Sequence, residues 1–140
     1  MNSDTLILSK KLIEDLPRDL LNSIADLSDD EIWDRPNIDS NSIGNIILHV
    51  SGGLMEYVVQ RLGGHQYVRN REQEFSKQKT IPKTELVSQF LDVIEKVRMT
   101  LNSVPEPTGP AFQTLIAATL HFSYHVGQIV YIAQVARRNR

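Results

Sequence analysis

Apolar residues recur at spacings of three and four along four stretches of the chain, the period of helices that each bury one face. The first stretch covers residues 5–27, where Leu6, Leu8, Leu12, Ile13, Leu16, Leu20, Leu21, Ile24 and Leu27 mark the packed side. Asp4 or Ser3 stands where a cap is needed. Pro17 lies inside the pattern and predicts a kink or a split, because proline lacks the N–H that the preceding turn would use. Residues 28–39 read as a connector. Ser28 followed by Asp29, Asp30 and Glu31 predicts a capped short turn that carries Ile32 and Trp33 and ends at Arg35-Pro36. Trp33 is expected as a lid on the end of the core, with ligand stacking as the alternative use of its ring.

The second helix is predicted over residues 41–62, capped by Ser40 or Asn41, with Ile43, Ile46, Ile47, Val50, Leu54, Tyr57, Val58 and Leu62 as its apolar stripe. His49 lies at the flank of that stripe. Gly52-Gly53 inside the helix costs about 1 kcal/mol per glycine, so the pair predicts either close approach of another helix or space kept open beside His49. Gly63-Gly64 stops the helix. Residues 65–82 are polar, and Arg69-Asn70-Arg71-Glu72-Gln73-Glu74-Phe75 mixes both signs of charge around one aromatic ring. Two readings apply to this segment: a functional loop, or a salt-bridged surface loop pinned by Phe75. His65, among glycines and polar residues, is expected to be exposed.

Thr80 is placed to cap a third helix, with Pro82 near its first turn. Leu86, Phe90, Val93, Ile94, Val97 and Leu101 face its core, while Lys83, Glu85, Asp92, Glu95, Lys96 and Arg98 face solvent. The prolines of residues 104–110 make a rigid connector. The fourth helix is predicted over residues 111–137, packing through Phe112, Leu115, Ile116, Thr119, Phe122, Val126, Ile129, Val130 and Ala133. No alternating strand pattern, repeat or low-complexity tract interrupts these elements. The expectation is therefore an all-α protein, one four-helix-bundle domain over residues 1–140.

Composition narrows the function. A net charge of −2 argues against general nucleic-acid binding, and the one basic cluster, Arg137-Arg138-Asn139-Arg140, reads as a solvated helix end. No apolar run is long enough to span a bilayer, and Met1-Asn2-Ser3-Asp4 does not resemble a secretion signal, so a cytoplasmic protein without membrane contact is expected. Cysteine is absent, which removes protein thiolates as metal ligands or nucleophiles.

Three of the four histidines lie within the apolar helices. His121 and His125 are one helical turn apart, so both imidazoles can meet one ion. His49 is the third candidate ligand. Phe122 stands where the zinc-protease signature carries glutamate, so that chemistry is not indicated. Asn45, Gln128 and Tyr124 are candidate outer-shell groups. Gln128 ranks above Tyr124, which points about 100° away from its ligand neighbour around the helix. Arg69 and Arg71 are candidates for binding an anionic cosubstrate.

Ser42-Ile43-Gly44-Asn45-Ile46-Ile47-Leu48-His49, followed by His121-Phe122-Ser123-Tyr124-His125-Val126-Gly127-Gln128-Ile129, resembles the DinB/YfiT-like superfamily. Leu48-His49-Val50-Ser51-Gly52, Gly63-Gly64 and the Arg69-x-Arg71-x-x-Glu74-Phe75 loop resemble one uncharacterised branch of it. That branch is expected to carry Asp where this chain has Asn70. The resemblance implies a four-helix bundle, often a homodimer, with a divalent ion (zinc or nickel) on His49, His121 and His125. It also implies a possible metal-dependent enzyme acting on a small molecule, either a hydrolase or a transferase using a low-molecular-weight thiol such as bacillithiol or mycothiol. A non-catalytic metal-binding or dimeric scaffold protein is the rival, and a purely structural, metal-free bundle is the third reading.

Overall fold

The computed structural model describes residues 1–77 and 81–140, and those residues form helices joined by turns and extended connectors, with no strand among them. Thr80, expected as a helix cap, lies outside the described residues. The first helix, α1, runs through Ser3–Lys10, Lys11–Asp15 and Leu16–Ile24. Pro17 does not split it. The turn just before the proline widens to a π-type turn, in which the Leu16 N–H bonds to the Lys11 carbonyl, and helical backbone resumes. Asn2 caps the helix through a bond from the Thr5 N–H to its Oδ1, where Ser3 or Asp4 had been expected.

A short helix, α2 (Asp29–Trp33), carries the predicted capping box between Ser28 and Glu31. Helix α3 combines Ile43–Leu54 with a π-type stretch, Met55–Leu62, and is capped by Ser42 rather than by Ser40 or Asn41. Gly64 ends it at φ 71°, a left-handed conformation that glycine adopts without steric cost. One turn of helix, α4 (Arg71–Glu74), lies in the segment read as loop. Helices α5 (Lys83–Ser103) and α6 (Pro110–Arg138) complete the chain.

The four long helices share one core. α3 packs against both α5 and α6, and the second half of α1 packs along α6. Phe90 and Phe122 meet edge to face at its centre, 6.1 Å between ring centroids, both essentially inaccessible to solvent. The predicted stripes of α3, α5 and α6 supply most of this core. On α1 the start of the stripe is misplaced: Leu6 is 54% exposed, while Thr5 is buried. The Thr5 hydroxyl donates to Glu106 Oε1 at 2.6 Å, so a polar residue takes the inner position with its hydrogen bond satisfied.

Two further expectations are corrected at the helix ends. Lys83, expected in solvent, places its ammonium on the carbonyls of Ile24, Ala25 and Leu27, closing the C-terminus of α1. Asp29 returns the contact by accepting the Lys83 backbone N–H at 3.1 Å. The C-terminal arginines are not simply solvated: Arg137 pairs with Asp26, and Arg140 with Asp26 and Glu31. Trp33 is a lid. Its ring lies where a Cβ on Gly44 would come within 2.5 Å, and its Nε1 donates to the Ile81 carbonyl at 2.8 Å.

Candidate metal centre

His49 points from the middle of α3 and is only 7% exposed, deeper than a flank position suggests. His121 and His125 lie one turn apart on α6, half-buried. The side-chain donor nitrogens of the three lie within 4.8 Å of one another. His49 Nε2 and His121 Nε2 are 3.1 Å apart. Two ligand nitrogens on a tetrahedral zinc stand about 3.3 Å apart, from bond lengths of about 2.0–2.1 Å.

Two of the remaining ring nitrogens, on His125 and His49, have partners. His125 Nδ1 is 2.9 Å from Gln128 Oε1, an acceptor, so Nδ1 carries the proton and Nε2 keeps its lone pair. His49 Nδ1 is 3.0 Å from Glu74 Oε1. A carboxylate only accepts, so this contact favours the proton on His49 Nδ1 and the lone pair on Nε2, although Arg69 Nη2 also lies 3.1 Å from Nδ1. Each outer partner thus turns an imidazole lone pair toward the common centre, the arrangement by which outer groups orient metal-binding histidines.

In the sequence Glu74 reads as a countercharge for the loop arginines and as part of the Arg69–Phe75 motif, with no ligand-orienting role. Nothing in its spacing marks it out, because the chain brings it to His49 from a segment with no helical period. It is held there by α4 and by a buried arginine. Arg69 donates from Nε to Glu74 Oε2 and from Nη2 to Oε1, both at 2.9 Å, and from Nη1 to Glu56 Oε2 at 2.7 Å. Asn70 caps α4 by accepting the Gln73 N–H, which an aspartate would do equally. Asn45 does not touch the histidines. Its amide nitrogen donates to the carbonyls of Glu74 and Ser76, and its oxygen accepts from Arg35 and Ser42, so it fastens the loop to α3. Phe75 lies against His49 with centroids 4.9 Å apart.

The glycine pair makes room for this assembly. A Cβ on Gly52 would fall 2.1 Å from Glu74 Oε2, and one on Gly53 would fall 3.3 Å from His121 Cε1. Space beside His49 is therefore what the pair provides. Tyr124 is 71% exposed, with its ring 5.0 Å from that of His125 and no hydrogen bond to the cluster. Arg71 is exposed and makes no ion pair among the described residues, in contrast to Arg69. His65 is exposed and apart from the cluster, as expected.

The electrostatics favour neutral imidazoles. Burial, then the neighbouring His125, His49, Arg69 and Arg71, bring His121 down to about 4. Burial also lowers His49, against the opposing hydrogen bond from Glu74. The Glu74 hydrogen bond leads the effects that raise Arg69, which stays charged throughout. The neutral form favoured at His49 and His121 is the one that a divalent ion requires of an imidazole ligand.

A family model described as "Protein of unknown function (DUF1572)" matches residues 5–108. The matched residues include His49 and Glu74 and stop before α6. No curated protein and no solved structure matches the chain.

Proposed function

We propose, for a chain that belongs to the DUF1572 family, that His49, His121 and His125 hold one divalent ion, zinc or nickel. The observation that carries this reading is the 3.1 Å approach of His49 Nε2 to His121 Nε2, with Glu74 behind the His49 ring. Two ring nitrogens so close need a proton or a cation between them, and His125 offers a third ligand atom within 4.8 Å. The donor set fits borderline ions that favour imidazole. On this reading the chain is a DinB/YfiT-like four-helix bundle, a single domain over residues 1–140.

Three neutral protein ligands match the pattern of catalytic rather than structural sites, which keep a position open for substrate. An ion held this way would supply Lewis-acid chemistry to a water or thiol reaching that open position. We therefore read the protein as a metal-dependent enzyme, a thiol S-transferase or a hydrolase, acting on a small molecule in the cytoplasm. The chain has no cysteine, so in the transferase case the nucleophile is a low-molecular-weight thiol cosubstrate. Arg69 is saturated by Glu74 and Glu56 and serves as a brace. Arg71 is the arginine left to meet an anionic group of that cosubstrate.

The rival reading, a non-catalytic metal-binding or dimeric scaffold protein, draws support from the outer face of α6. Leu120, Tyr124 and Tyr131 are exposed there at helical spacing, and we propose that a second copy of the chain covers them in a homodimer.

Elemental analysis of the purified protein tests the metal reading. One ion per chain is expected, with most of it lost in the His121→Ala, His125→Ala double variant and none lost in His65→Ala. Full occupancy in the double variant would falsify the reading. Turnover of an electrophilic substrate with bacillithiol, mycothiol or water separates the enzyme from the scaffold.

A further inference from the structure

A half-open cavity of about 370 Å³ lies behind Glu74, bordered by α3, α5 and residues 67–74. None of the three clustered histidines lines it. Its size falls within the roughly 300–1,000 Å³ typical of small-ligand sites. Leu48 and Met55 from α3 and Leu86 and Val93 from α5 give it an apolar wall. Gln89 and Lys96 stand on its α5 side. Two charged residues border it, Glu74 and Lys96, and they are not equivalent. Glu74 is buried and already neutralised by Arg69. Lys96 is exposed and has no ion pair among the described residues, even though Asp92 lies one turn before it. The cavity therefore presents an apolar wall and one uncompensated positive charge at its edge.

From this pairing we propose that the cavity is a second binding site, for a small amphipathic carboxylate. The carboxylate pairs with Lys96, and the aliphatic part lies against Leu48, Met55, Leu86 and Val93. An anion is favoured over a cation or a neutral polar head because the free charge is positive and the one negative group has its counterion. The cavity wall contains no clustered histidine and adjoins the histidine cluster through Glu74. A second cavity of about 430 Å³ begins on the other side of Met55 and Lys96 and is lined in part by Met99 and Ser103. The test has to tell these two spaces apart.

Calorimetric titration of the full chain with sodium octanoate, after removal of metal by a chelator, provides that test. Saturable binding at one site is expected, at least fivefold tighter than that of 1-octanol, which has the same chain without the charge. Lys96→Ala should erase the preference for octanoate. Gln89→Trp fills the first cavity from an exposed helix position and should abolish binding of both probes. Ser103→Trp enters only the second cavity and should leave both unchanged. The His121→Ala, His125→Ala double variant should bind octanoate as the parent does. Three results would overturn the proposal: no saturable binding, equal binding of the alcohol, or sensitivity to Ser103→Trp in place of Gln89→Trp. Loss of binding in the double histidine variant would do the same, by placing the carboxylate at the histidines.

Discussion

Glu74 accepts from His49 and Arg69 through one oxygen and from Arg69 again through the other, so a single buried carboxylate fixes both an imidazole and a guanidinium. Glu74→Gln keeps the shape and removes the charge. Outer partners of metal-binding histidines typically contribute about 10–100-fold to affinity, and a loss of that size is expected in competition with a chromophoric chelator. Affinity equal to the parent would remove Glu74 from the site. The histidines themselves also predict an acid response in the metal-free protein. His121 is depressed to about 4 in the fold, below the usual histidine value near 6.5. The unfolded chain then binds more protons than the folded one between these limits. Folding stability should be unaffected by this group above pH 6.5 and should fall as pH drops from 6.5 toward 4. Denaturant melts across that window check it, and His121→Ala should flatten the slope. His121 and His125 could be read from the sequence because helical spacing places them on one face, and His49 because it stands in a second apolar helix. Glu74 could not, because its position depends on Arg69, Asn45 and the α4 turn, which act together only once folded.

Gly52 and Gly53 occupy adjacent positions in α3, yet their substitutions should differ. A Cβ on Gly52 would overlap Glu74 Oε2, a buried atom held on two sides, whereas one on Gly53 would press on His121 by a few tenths of an ångström. Alanine gains about 1 kcal/mol of helix propensity at either site. Gly53→Ala is therefore expected to melt close to the parent. Gly52→Ala should melt lower and bind metal more weakly, because Glu74 must leave His49. Equal behaviour of the two variants in thermal melts and metal titrations would contradict this account. The long helices were legible because periodicity reports burial directly. What stayed hidden followed from irregular backbone. The π-type turn at Lys11–Asp15 absorbs Pro17, which by composition alone should break the helix. Before it, the inner face of α1 is carried by Thr5 rather than Leu6, because Glu106 satisfies the hydroxyl from a distant connector. The α4 turn is too short to leave a period at all.

At the scale of the molecule, α6 faces two ways. One side carries His121, His125 and the core residues, and the other carries Leu120, Tyr124 and Tyr131 outward. A dimer is expected in sedimentation at tens of micromolar, and Leu120→Asp with Tyr131→Asp should yield a folded monomer that still binds the proposed ion. A parent protein that sediments as a monomer would refute the second-copy proposal. The far end of α6 is tied to the end of α1 by Arg137 and Asp26. That pair is exposed to solvent, which screens it, so Arg137→Ala should shift the melt only slightly.

The docking of residues 69–75 over His49 also bears on time. Loop segments open locally at lower free energy than packed helices do. The carboxylate that steadies His49 arrives on such a segment, so an ion in the site loses part of its hold whenever the segment lifts. Residence time, and not only affinity, should then be set by Arg69, the clasp that keeps the segment down. In Arg69→Ala the ion is expected to exchange into excess chelator faster than in the parent, with the rate independent of chelator concentration if lifting comes first. A helix-borne partner in the place of Glu74 would make a slower centre, whereas the proposed centre would be loaded and emptied without unfolding.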